Sequence, residues 1–427
     1  MTLSQSEAQN RMRDLRAARP LSTQPLPDSD LVQLLEQIAE ILEPFDFEQA
    51  LSSVRRAGTD TTDADALYRA GYELVDIGLN EVAVPILASA LHINPMNGRL
   101  LTELAAALNA CWAYGLAADL LRDNQWALEQ IGPGRYLLAH DAAMCGDLET
   151  TRDLLPTLSR THGEPELMAR TARARVARYD AITPSIADPQ LPDWELVLNG
   201  IVLLTCGDVG EDAMHGRWAF AQETPDQIAH RLSVLQGVLT ALKRQPTRVA
   251  FAPDRDSEIL AHAVASTLGI DTVVDGSASR ADDDLIVAYM WPGGDPAFMG
   301  AVADDHRAIL YAHHLNWTQG ASSAPDIAAA ETQFVIPPWG EQIVIPNASD
   351  PTAKREATRT PADTRDPAVI AQELMAVPVD VDAVDVEVDR CSRLVTALRD
   401  AGATCGALPG PRGRFYPGGP VVSNRFQ

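Results

Sequence analysis

Along the chain, the spacing of apolar positions changes near residue 183. From Leu31 to about Tyr179 they recur every three or four residues, the period of a helix buried along one face. That spacing predicts helices over 31–42, with Asp30 as a candidate N-cap, over 47–56 and over 164–179. Between about Ala64 and Leu158 a helix-pair pattern repeats every 34 residues. Gly71, Ala105 and Ala139 share one register, as do Ala83, Ala117 and Thr151; Leu87, Leu121 and Leu155; and Leu74, Leu108 and Ala142. Small residues suit the crossing of two close helices, and large apolar ones suit the packing of one hairpin on the next. Gly78 and Gly146 stand where a first helix would end in a left-handed cap.

The run Leu67, Ala70-Gly71, Leu74, Gly78, Ala83, Leu87, Ala90-Leu91, Pro95 resembles the tetratricopeptide repeat family through a whole unit, and the resemblance covers about residues 30–180. The later units depart from the pattern: Trp112 replaces the turn glycine, Glu129 the closing proline, Arg135 an apolar position and Thr151 a small one. The resemblance implies a superhelix whose concave face binds a peptide or protein partner. Its lining positions fall on Tyr68 and Tyr72, Thr102 and Asn109, and Tyr136 and His140; packing against a neighbouring unit is the competing reading for each. The Lys and Asn clamp of the chaperone-tail subtype is missing: Tyr68, Tyr72, Glu103, Pro133 and Leu137 stand there. Arg170, Arg173, Arg175 and Arg178 are expected to form a polar cap on the stack.

Beyond Thr183-Pro184 the pattern becomes strand and helix in alternation. Strands are expected at 194–206, 249–252, 272–274, 285–290, 308–312, 333–336 and 342–345. Helices are expected from the capping sequence Thr224-Pro225-Asp226-Gln227 to about Arg244, and from Ser257 to Leu268, stopped by Gly269. This order indicates a mostly parallel sheet covered on both faces, which binds ligands beyond the carboxyl ends of its strands. Asp208, Asp254, Arg255, Asp256, Ser257, Gly293, Gly294 and His313 lie in those segments and form the candidate ligand site. Each has a plainer use, such as Asp256 or Ser257 capping the helix that begins there. The acids Asp254, Asp256 and Glu258 weigh against a phosphate at that helix end, and no glycine-rich phosphate loop follows any strand. His313 and His314 are adjacent, and neighbours on a strand point to opposite faces, so only one could join a given site and no metal is expected. No cofactor is expected either. The order strand, acidic loop, helix over 248–268 has a generic resemblance to the phosphoribosyltransferase-like fold. That family's acidic pair and Thr-Gly phosphate loop are replaced after Met290 by Trp-Pro-Gly-Gly-Asp, which implies a lost or substituted pyrophosphate loop.

Residues 347–366 read as a linker, 367–376 as a helix, 379–382 as an exposed strand, 385–399 as a helix, and 406–427 as a disordered tail or a short docking motif. The fold class is therefore α plus α/β, multidomain: a flexible segment 1–28, a helical repeat domain 29–183, an α/β domain 190–346, the linker, and a helical, acidic segment with a partly disordered tail at 367–427. Composition narrows the function. Of 427 residues 46% are hydrophobic and 22% charged, as in a globular chain, and the net charge of −25 opposes nucleic-acid binding. Arginine supplies nearly all the positive charge, Lys243 and Lys354 being the only lysines, which suggests a GC-rich bacterial genome. No apolar run is long enough to cross a membrane, the one at 201–204 included, and Glu7 and Asp14 argue against a transit peptide in the Arg-rich start. Five scattered cysteines read as buried thiols of a cytoplasmic protein. The expected function is an adaptor that binds a protein or peptide through the repeats. The alternative is an enzyme acting on a nucleotide- or sugar-phosphate at the strand ends, and a purely structural assembly protein is a third reading.

Overall fold

The computed structural model describes residues 3–18, 20–130, 133–158, 164–206, 215–277, 283–303, 307–344, 358–406, 408, 412–421 and 423. The chain divides into two compact units, Met1–Arg173 and Ala174–Phe426, with the boundary inside a helix rather than in the expected break after residue 183.

The first unit is helical: α1 (Gln5–Ala17), α2 (Asp28–Leu42), α3 (Glu48–Thr59), α4 (Ala64–Asp76), α5 (Asn80–Ile93), α6 (Gly98–Ala110), α7 (Tyr114–Asp123), α8 (Gln125–Gln130), α9 (Gly134–Met144), α10 (Leu148–Leu154) and the start of α11 (Glu164–Ile182). The 34-residue spacing is visible in the backbone. Helices α5, α7 and α10 begin at 80, 114 and 148, and each follows a left-handed turn residue: Gly78 (φ 77°), Trp112 (φ 61°) and Gly146 (φ 91°). Asp63 and Asn97, also 34 apart, cap α4 and α6 by accepting first-turn N–H groups. Gly71 shows why a small residue recurs: a Cβ there would lie 2.5 Å from the Leu87 side chain, so α4 and α5 cross too closely for one. Residues 1–28, expected to be flexible, contain α1 instead. Ser4 and Glu7 form a reciprocal capping box, and Ala8 and Met12 are buried in the same core as Leu31 and Leu34 of α2.

The second unit comprises the end of α11, α12 (Leu191–Asn199), β1 (Val202–Leu203), β2 (Trp218–Gln222), α13 (Pro225–Ala241), β3 (Arg248–Phe251), α14 (Arg255–Leu268), β4 (Val273–Asp275), β5 (Asp284–Trp291), α15 (Pro296–Ala303), β6 (Ile309–Leu315), β7 (Ile327–Ile336), β8 (Gln342–Val344), β9 (Thr358–Thr360), α16 (Pro367–Leu374) and α17 (Val381–Asp400). The main sheet runs β1-β7-β6-β5-β3-β4, with β2 joining β7 beyond β1, and every pairing in it is parallel. Because β4 lies on one side of β3 and β5 on the other, connections leave in opposite directions there. That switch point, between the carboxyl ends of β3 and β5, is where such sheets leave a crevice. One face of the sheet packs Ala250, Ile286 and Leu310 with Leu191, Phe298, Val302 and Phe415.

Several expectations are corrected. Residues 194–199 belong to α12: a helix buried nearly all round has the same continuous apolar look as a buried strand. Pro192 in its first turn, the Gln190–Asp193 capping box and the left-handed Gly200 (φ 74°) mark its ends. Residues 379–382 are not a strand: Asp380 caps α17, which begins at Val381. Part of the expected linker, 358–360, pairs antiparallel with β8. The described part of the expected disordered tail packs onto the α/β core: Phe415 forms an isolated bridge with Ala321, and the Arg412 guanidinium donates to Asp326 at 2.6–3.0 Å and to the Val302 and Ala308 carbonyls. Arg175 and Arg178 are not a solvent-facing cap. Both are buried and donate to the Val197 and Leu198 carbonyls at the end of α12, where the helix dipole favours cations. Burial, with the charge of Arg175, pulls Arg178 down to about 10. Of the thiols, Cys391 and Cys405 are buried, Cys111 and Cys145 half-buried and Cys206 exposed. No helix among the described residues is long and apolar enough to cross a membrane.

Candidate functional sites

On the helical unit, the six lining positions have different fates. Tyr72 is 45% exposed, and its ring lies 6.2 Å from that of half-buried Tyr68, one turn earlier on α4. Burial, and next the charge of Glu103 on α6, raises the Tyr68 phenol, while burial raises the Glu103 carboxyl. Thr102 turns its hydroxyl back to the Gly98 carbonyl at 3.0 Å. Asn109 donates to buried Asp141 at 2.7 Å, Tyr136 is buried, and His140 meets Tyr114 edge to face at 6.0 Å. Asn109, Tyr136 and His140 are thus packing residues, and the accessible surface contracts to α4 and the facing part of α6.

In the second unit a polar core stands at the carboxyl ends of β5 and β6. Glu223, the residue between β2 and the capping box of α13, extends the pairing of β2 by donating its N–H to the Ile336 carbonyl. Its Oε1 lies 2.9 Å from His313 Nε2 and 3.2 Å from His314 Nε2, and it also accepts from Arg231 of α13. Its Oε2 accepts from the Tyr289 hydroxyl at 2.8 Å. The far nitrogen of each imidazole is held as well: His313 Nδ1 by the Tyr311 hydroxyl at 2.8 Å, His314 Nδ1 by the Thr332 hydroxyl at 2.9 Å. All of these side chains are buried.

The convergence of both histidines overturns the exclusion based on strand alternation. Strict alternation would group Leu310, Ala312 and His314 on one face. The core instead groups Leu310 and Ala312 with Leu315, and Ile286 and Ala288 with Trp291. The pleat therefore slips by one residue at the ends of both strands, which stay in register as Met290 with His314 and Trp291 with Leu315. That slip releases His314 from the apolar face. A carboxylate and two imidazoles whose ligand atoms all lie within 4.8 Å of one another could hold a metal ion.

The electrostatics follow from burial. Burial alone would raise the Glu223 carboxyl, but the two histidines outweigh it and hold it well below the usual carboxylate range. Burial pushes His314 down to about 4, against the pull of Glu223. At neutral pH Glu223 is an anion beside a neutral His314. The Tyr289 phenol is raised by burial and then by the charge of Glu223, so it serves as a hydrogen-bond donor.

Of the sequence-derived ligand residues, His313 lies within this cluster, and Ser257 and Asp256 join its edge. Ser257 Oγ accepts from the Tyr289 N–H at 2.9 Å, and Asp256 accepts from Trp339, whose ring packs edge-on against Tyr289. Asp254, rather than Asp256 or Ser257, caps α14, accepting from both the N–H and the hydroxyl of Ser257. Arg255 turns to the Asp363 and Arg365 carbonyls. Gly293 and Gly294 shape the turn after β5: a Cβ on Gly293 would meet the Met290 carbonyl at 2.9 Å, and Gly294 has φ 75°. Asp208 lies outside the described residues. The residues that sequence reasoning missed are Glu223, Arg231, Tyr289, Tyr311, Thr332 and Trp339. Only Glu223 carried a signal, as an acid next to a helix cap.

A second buried charge group joins Glu195 of α12 and Glu331 of β7 through Arg217. Burial, then the charge of Glu331, raises the Glu195 carboxyl well above its usual range, with Arg217 opposing. Arg217 also donates to the Gly418 and Val421 carbonyls, which ties the chain end to this core. No family model and no curated protein matches the chain at a significant level, so a functional reading stands on these residues and their geometry.

Proposed function

We propose that the chain is an adaptor. Its first unit acts as a tetratricopeptide-like surface that captures an extended segment of a protein partner, and its second is a ligand-holding α/β unit. The observation that carries the reading is the tyrosine pair on α4, with Tyr72 exposed and Tyr68 beside the Glu103 carboxyl. Tyrosine offers a broad ring at the cost of few rotatable bonds and is enriched where partners anchor. Such a surface suits a peptide that lays an apolar or aromatic side chain on the rings and donates a hydrogen bond to Glu103. A chain of net charge −25 also favours a basic segment over an acidic one. Selecting from a random peptide display library on the full chain tests this. The expected result is a consensus with one apolar anchor whose binding is lost in Tyr68→Ala with Tyr72→Ala; a consensus indifferent to that double change would refute it.

The second reading, an enzyme acting on a phosphate-bearing small molecule, draws support from the polar core at the carboxyl ends of β5 and β6. It is weakened at α14, whose first turn holds Asp256 and Glu258 and whose cap Asp254 already takes the Ser257 N–H. A nucleotide and sugar-phosphate thermal-shift panel without any response would remove it.

A further inference from the structure

From the cluster at the strand ends we infer that Glu223, His313 and His314 form a binding site for one first-row divalent transition metal ion of the zinc, iron or cobalt class. Imidazole and carboxylate ligands in this two-to-one set suit those ions, whereas magnesium and calcium take oxygen shells. Three features argue for a built site. The Nε2 atoms of the two imidazoles face one carboxylate oxygen at 2.9 and 3.2 Å. Metal–ligand bonds of about 2.0–2.1 Å in a tetrahedral arrangement set ligand atoms roughly 3.3 Å apart, close to both carboxylate–imidazole spacings, and the three ligand atoms lie within 4.8 Å of one another. Every ligand group is then held by a second partner on its other polar atom: Tyr311 on His313 Nδ1, Thr332 on His314 Nδ1, Tyr289 on Glu223 Oε2. Outer partners of this kind orient ligating histidines. Because the histidine partners are hydroxyls, which donate or accept, the same shell serves the imidazoles with their Nε2 lone pairs turned to a metal. Finally, Arg231 already brings positive charge to the same place, bonding Glu223 Oε1 with its Nη1 3.5 Å from His314 Nε2. An arriving ion displaces that guanidinium.

The test is equilibrium titration of the chelator-stripped full chain with Zn²⁺, Co²⁺ and Fe²⁺, the last under reducing conditions, with elemental stoichiometry and the visible absorption of the Co²⁺ form as readouts. One equivalent is expected, with a Co²⁺ spectrum indicating nitrogen and oxygen ligands. Glu223→Gln keeps the shape and should lower affinity more than 100-fold. Thr332→Val, which leaves all three ligands in place and is the milder change if Glu223→Gln does not fold, should lower it by about 10- to 100-fold. Arg231→Met, which removes the competing cation, should tighten binding. Failure of the folded wild-type chain to take up any of the three ions would overturn the inference, leaving the cluster a self-satisfied hydrogen-bond network. Uptake unchanged by both Glu223→Gln and Thr332→Val would also overturn it.

Discussion

Replacing Arg412 with Met probes whether the chain end is part of the α/β unit or an appendage. Arg412 and Asp326 are each 3% exposed at the side chain and paired at 2.6 Å, and Asp326 Oδ2 also accepts the Leu310 N–H of β6 at 2.7 Å. Methionine keeps most of the volume but leaves Asp326 a buried, uncompensated anion, which in such pairs costs about 3–5 kcal/mol. Burial already raises the Asp326 carboxyl, with Arg412 opposing; losing Arg412 raises it further. A carboxyl whose folded-state pKa is raised contributes stability in acid and loses it as pH rises through that value. The cost of the substitution is therefore largest near neutrality. At pH 4 to 5 it shrinks toward that of the lost bonds to the Val302 and Ala308 carbonyls, about 1–2 kcal/mol. Urea unfolding followed by tryptophan fluorescence reads this, since Trp291 and Trp317 are fully buried in the second unit. Asp326→Asn in the same background removes the anion and should recover most of the neutral-pH loss. A neutral-pH cost below about 1 kcal/mol, or one unchanged by acid, would refute the reasoning.

Other outcomes follow from the packing and the charges. Gly71→Ala should destabilise the helical unit by about 1–3 kcal/mol, because its Cβ would lie 2.5 Å from Leu87. Gly115→Ala, with nothing within 4 Å, should stabilise it by about 0.4–1 kcal/mol, and differential scanning calorimetry separates the two signs. Glu195, whose carboxyl is raised by burial and by Glu331, loses its contribution as pH climbs above the ordinary carboxyl range. Glu195→Gln should therefore gain on wild type in thermal midpoint as pH goes from 5 to 8, and a constant difference would contradict the raised Glu195 carboxyl. Tyr68→Ala with Tyr72→Ala should shift the midpoint little while removing peptide capture.

Much of this architecture was legible in the sequence, for physical reasons. Strands β5 and β6 are buried along almost their whole length and carry apolar runs, and the hairpins betray themselves through small residues at crossings and turn residues 34 apart. Burial also made α12 resemble a strand, and its identity lay in Pro192 and Gly200 rather than in its hydrophobicity. Strand β2 escaped notice because it is only partly buried and its apolar run, 218–221, is short. The polar core was half legible. His313 stood out at a strand end, but its partnership with His314 depends on the slipped pleat, and Glu223 meets them only through the β2–β7 pairing. Neither relation is written in local spacing. The tail misled for a similar reason: Gly and Pro suggest disorder, while its order comes from Asp326, Arg217 and Asn199, at least 86 residues earlier in the chain.

The adaptor reading meets its most direct test in fluorescence anisotropy with the display-selected peptide, measured on three full-length proteins: wild type, Tyr68→Ala with Tyr72→Ala, and Phe334→Ala, an exposed aromatic of the second unit. The account predicts that the tyrosine pair lowers affinity more than 30-fold, about 2 kcal/mol, while Phe334→Ala leaves it within twofold. Equal losses in both variants, or none in the first, would contradict it.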